Sequence, residues 1–116
     1  MAEAAFHPDL NVEDLRRRFA DGPLGVFVSS SKNRALLDDL LREAARMEVP
    51  IMGFFMDDGV ELLRDRSWVA ALPEGRYAAC DVSARARDIS SPDKVTLAGQ
   101  YHNAVMVSQA AHVVSL

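Results

Sequence analysis

Two stretches of the chain are apolar at almost every position. Residues 24–30 read LGVFVSS and stay apolar until the serines, and residues 51–56 read IMGFFM. Runs without alternation suit strands covered on both faces, as in a parallel sheet. Between them the pattern changes period. Leu36, Leu37, Leu40, Leu41, Ala44, Ala45 and Met47 recur at three and four, with Asp38, Asp39, Arg42, Glu43 and Arg46 on the opposite side. This is an amphipathic helix, with Ser30 or Ser31 as its expected N-cap and Pro50 beyond its end. Strand, helix and strand together predict a βαβ unit with a right-handed crossover.

The alternation continues to the C-terminus. DDG at residues 57–59 is turn chemistry, and VELLRDRSWVAAL predicts a helix over 60–72. PEG makes a further turn, RYAAC (76–80) a short strand and DVSARARDI (81–89) a short helix. After the SSPDK loop come a very short strand, VTLAG, a helix over 100–111, and HVVSL as a closing edge or core strand. These elements predict a three-layer α/β sandwich around a mostly parallel sheet of about five strands, residues 24–116. Residues 1–23 form an appendage. Asn11 is expected to cap a short helix over 12–20, and DGP to end it.

Composition narrows the function. At 116 residues, 49% hydrophobic and 26% charged, the chain is one ordinary globular domain. A net charge of −4 argues against nucleic acid, and the one basic run, Arg16 to Arg18, follows Glu13 and Asp14 on a solvated helix face. The first twenty residues lack a signal peptide's pattern, no run has the length of a membrane span, and a single cysteine suits a reducing compartment. A cytoplasmic location and no membrane contact are therefore expected.

In parallel sheets, sites gather where strand C-termini meet helix N-termini. Cys80, the only cysteine, stands at such a place, where RYAAC gives way to DVSARARDI. A free cysteine has a pKa of about 8.5, and helix N-terminal amides lower it. Arg85 and Arg87 add positive charge. Asp81 opposes them, and its four-residue spacing to Arg85 predicts that the two pair. The alternative is a packing cysteine, since free cysteines are among the most buried residues. Ser30 offers an anion contact at the first helix, Asp57 and Asp58 an acidic pair or a turn, and His102 a side chain facing the site or solvent. His7, His102 and His112 lack ligand spacing, so no metal site is expected.

The order of elements resembles the DsrE/DsrF-like family of sulfur-relay proteins, which includes TusD-type sulfurtransferases. FFMDDGV, YAACDVSARARDI and VTLAGQYHNAVMVSQAAHVVSL carry the resemblance, over residues 24–116. It implies a DsrE-like, flavodoxin-like topology and assembly into homo- or hetero-oligomers, trimers or hexamers. It also implies that Cys80 carries sulfur as a persulfide between donor and acceptor proteins. Asp81, Ser83, Arg85, Arg87, Ser30, Asp58 and His102 are the expected supporting residues. Thiol exchange of this kind needs no metal or organic cofactor, and with no second cysteine the acceptor thiol must belong to another molecule. Two other readings stand beside it: a non-catalytic oligomeric assembly module with Cys80 packed in its core, and a flavodoxin-like regulatory or small-ligand domain.

Overall fold

Uninterrupted apolar strands bury themselves by covering both faces, and the chain does so around five parallel strands. The computed structural model describes residues 22–116, so the helix read over residues 12–20 lies outside the described residues. Strands β1 (Leu24–Val28), β2 (Ile51–Phe55), β3 (Arg76–Cys80), β4 (Val95–Ala98) and β5 (His112–Ser115) stand in the order β4-β3-β2-β1-β5. Every neighbouring pair is parallel. The α/β sandwich read from the sequence is thus present, and its sheet is wholly parallel.

The strand order fixes the layers. From β1 to β4 the chain steps in one direction across the sheet, and right-handed crossovers put those helices on one face. Helix α1 (Arg34–Arg46), a 3₁₀ segment (Asp57–Arg64), α2 (Arg66–Ala70) and α3 (Asp81–Ala86) lie there. Their Leu37, Leu41, Val60, Leu63, Trp68 and Ala84 share one core with Leu24, Val26, Val28 and Phe55 of the strands. The step from β4 back to β5 reverses direction, so α4 (Gln100–Gln109) lies on the other face. Its Met106 joins Met52, Phe54, Ala78 and Cys80 in a second, smaller core. Among the described residues, one helix covers this face where four segments cover the first. Phe27 stacks on Phe54 there with ring centroids 6.2 Å apart. Strand β5 is an edge strand that alternates between half-buried and exposed positions, so of the two roles read for HVVSL the edge is the one it fills.

Two local expectations are corrected. The N-cap of α1 is Asn33, because the Ser30 hydroxyl is taken up in a tight turn, accepting from the Lys32 N–H at 3.1 Å. The helix read over 60–72 is split. A 3₁₀ segment begins within the DDG turn itself, and Asp65 stops it with an extended backbone (φ −84°, ψ 93°), accepting from the Trp68 N–H to start α2. The tight winding follows from Gly59, which packs directly against the end of β1.

Trp68 closes the larger core. Its ring meets Phe55 edge-on at 6.1 Å, and its indole N–H donates to Asp38 Oδ1 at 2.7 Å. Trp68→Phe removes that donor and part of the ring, and should cost about 1–2 kcal/mol in urea unfolding followed by circular dichroism. An unchanged midpoint would show that the Asp38 bond contributes nothing.

Candidate functional site

Cys80 ends β3 and serves as the N-cap of α3, with φ −63° and ψ 119°. Parallel neighbours bring two other strand ends beside it. On one side β2 leads into Met56 and Asp57; on the other, Ala98 is the register partner of Cys80 and leads through Gly99 into Gln100. The site is therefore three adjacent strand C-termini with the thiol in the middle.

The thiol is buried: Cys80 is 7% exposed, within the smaller core beneath α4. Polar groups nevertheless converge on its sulfur. The Ser83 amide N–H donates to Sγ at 3.5 Å. Burial alone pushes the thiol up, because a thiolate loses hydration there. The Ser83 hydroxyl, the Ser83 and Val82 amides and the Gln100 side-chain amide more than offset this and hold the thiol below its ordinary range. Of these donors, the backbone amides at the start of α3 and the Ser83 hydroxyl are held by the fold.

Ser83 is itself held in place. It is a buried polar residue, and its Oγ accepts the backbone N–H of Asp57 at 3.0 Å. A hydroxyl can accept one such bond and still donate its proton to the sulfur. Asp57 adopts the left-handed conformation, φ +47°, which an aspartate tolerates better than most side chains. A chain of contacts thus runs from the end of β2 through Ser83 to the thiol.

The other residues singled out from the sequence separate into groups. Asp81 and Arg85 form the ion pair their spacing predicts, on the exposed side of α3. Arg87 turns away from the sulfur, pairing with Asp58 at 3.0 Å and Glu61 at 3.7 Å and donating to the Ser83 carbonyl at 3.2 Å. Arg87 and Asp58 therefore brace α3 against the 3₁₀ segment. Ser30 lies beyond the end of β1, two strands from β3, with its hydroxyl engaged by Lys32. His102 is exposed and lines a groove bordered by Arg76. The structure thus brings Ser83 to the thiol, while the Ser30 hydroxyl is engaged by Lys32 and His102 stands on the separate groove.

Gln100 escaped the sequence reading of the site, and Met56, read only as the end of an apolar strand, has its sulfur 4.0 Å from the Gln100 side-chain nitrogen. A signal for Gln100 existed: it opens the helix after β4 as Asp81 opens the helix after β3, and neighbouring parallel strands align such positions. Among the described residues, no three His, Cys, Asp or Glu side chains are grouped to hold a metal ion. No described helix is long and apolar enough to cross a membrane. Neither a family model, nor a curated protein, nor a solved structure matches the chain.

Proposed function

We propose that the chain is a persulfide-carrying sulfurtransferase or sulfur-relay protein of DsrE/DsrF-like type, with Cys80 accepting and passing on sulfane sulfur. The observation that carries this reading is a buried sulfur at the N-cap of α3 that accepts the Ser83 amide N–H at 3.5 Å, in surroundings that hold the thiol below its ordinary range. A thiol that only fills space needs no such donors, whereas a thiolate in an apolar core does.

The step balances without a cofactor. The Cys80 thiolate attacks the outer sulfur of a donor persulfide R–S–SH; the donor's S–S bond breaks and R–S⁻ departs. The new bond leaves Cys80 as Cys–S–SH. An acceptor thiolate then attacks that outer sulfur, forming its own persulfide and returning the Cys80 thiolate, which the same donors stabilise. Both partners are proteins or small thiols outside this chain, because no second cysteine is present. Neither nucleic acid nor membrane takes a direct part in this reading. Assembly into a homo- or hetero-oligomer, a trimer or hexamer, belongs to the same proposal, as does a cytoplasmic setting.

Burial of Cys80 favours the second reading, an oligomeric assembly module with Cys80 as a packing residue. Exposure of the native protein to a small persulfide donor, followed by intact-mass measurement, separates the two, with Cys80→Ser as control.

A further inference from the structure

The face that α4 alone covers among the described residues holds a groove at the end of the sheet opposite Cys80. It encloses about 410 Å³, within the usual range for small-molecule sites. Met52, Val105 and Met106 give it an apolar floor and wall; Arg76, Lys94 and His102 stand around it. No described aspartate or glutamate lines it, although the chain carries 17 acidic residues against 13 basic ones. The local charge is therefore the reverse of the molecule's.

Arg76 is the informative residue. Among the described arginines, Arg34, Arg42, Arg46, Arg64, Arg85 and Arg87 each face a carboxylate, whereas Arg66 bonds Ser90 and Arg76 does neither. The Arg76 guanidinium instead touches the thioether of Met52, its register partner on β2, at 3.1 Å. A thioether is a weak acceptor, so the fork of N–H donors stays open to a better one. Lys94 is already committed, its ammonium held by the Ala70 and Leu72 carbonyls at 2.8 and 2.7 Å. Anion recognition therefore falls to Arg76, with His102 on the same groove.

We propose that this groove binds a small amphipathic carboxylate, its head group on Arg76 and its apolar body on Met52, Val105 and Met106. The site is separate from the thiol. Arg76 and Cys80 stand at opposite ends of the same strand, about 13 Å apart at strand rise. The inference does not depend on sulfur transfer.

Titration of the ¹⁵N-labelled full chain with octanoate, octan-1-ol and acetate tests it by NMR. Octanoate should produce saturable shifts at Arg76, Val105 and Met106, with octan-1-ol and acetate each binding about tenfold more weakly or worse. Arg76→Gln should weaken octanoate about tenfold and leave octan-1-ol unchanged, while Arg66→Gln, outside the groove, leaves both unchanged. Absence of saturable shifts in the groove would overturn the proposal. So would equal affinity for octanoate and octan-1-ol, or equal losses in the two arginine variants.

Discussion

Replacing Gly59 with alanine should destabilise the protein by about 3 kcal/mol or more, the upper end of what overpacking costs. A Cβ at this position would lie 2.1 Å from the carbonyl oxygen of Val28 and 2.7 Å from its carbon. Both atoms are backbone, so no rotamer change relieves the overlap. The Val28 oxygen also accepts the Met56 N–H at 2.9 Å, the bond that seats the start of the 3₁₀ segment on the end of β1. Moving it apart would break that bond and shift Met56 and Asp57, which border the thiol. Gly99→Ala is the matched control, because nothing lies within 4 Å of a Cβ there. As an N-cap it should lose less than about 1 kcal/mol. Urea unfolding of the two variants checks the pair. Equal losses would mean that the close approach at Gly59 is not what sets the geometry.

Ser83→Ala should leave the fold in place and blunt the thiol. The substitution removes a donor to the Cys80 sulfur and leaves the Asp57 N–H without its acceptor. Hydrogen bonds to charged groups contribute about 1.5–3 kcal/mol, so the thiolate population at neutral pH falls steeply. The remaining thiolate is more nucleophilic, which recovers part of the rate. Iodoacetamide alkylation at pH 7 should therefore slow about three- to tenfold, with its pH profile displaced upward. Stability follows the same linkage. With the folded thiol below its unfolded value, the unfolded chain binds more protons between the two. Stability should then rise with pH across that interval, reach its full value above the unfolded pKa, and be lost as pH falls through the folded one. Cys80→Ser should flatten that slope. An alkylation profile unchanged in Ser83→Ala would remove Ser83 from the site.

The elements were legible because their patterns are strong. The uniform apolar runs at Leu24 and Ile51 and the three-four spacing from Leu36 to Met47 leave little choice of structure, and Cys80 falls at the strand-to-helix junction where its surroundings change. What was illegible depends on contacts across the sheet. The helix over residues 60–72 reads as continuous because its periodicity is good; Gly59 against Val28, and Asp65 capping Trp68, split it. Ser30 is as good a cap by type as Asn33, but its hydroxyl closes a turn with Lys32 instead. Arg87 looked like a charge for the thiol, yet Asp58 and Glu61 from the preceding segment claim it. Gln100 could be placed only once β4 was known to lie beside β3.

Sulfur loading of the native protein is the most direct test of the proposed role. The chain is incubated with a small persulfide donor, shown to load a reference thiol, and its intact mass is measured without unfolding. A gain of one sulfur atom, removed by reductant and absent in Cys80→Ser, is the predicted result. An unchanged mass, with Cys80 labelled by iodoacetamide only after unfolding, would contradict it and leave Cys80 as part of the packing beneath α4.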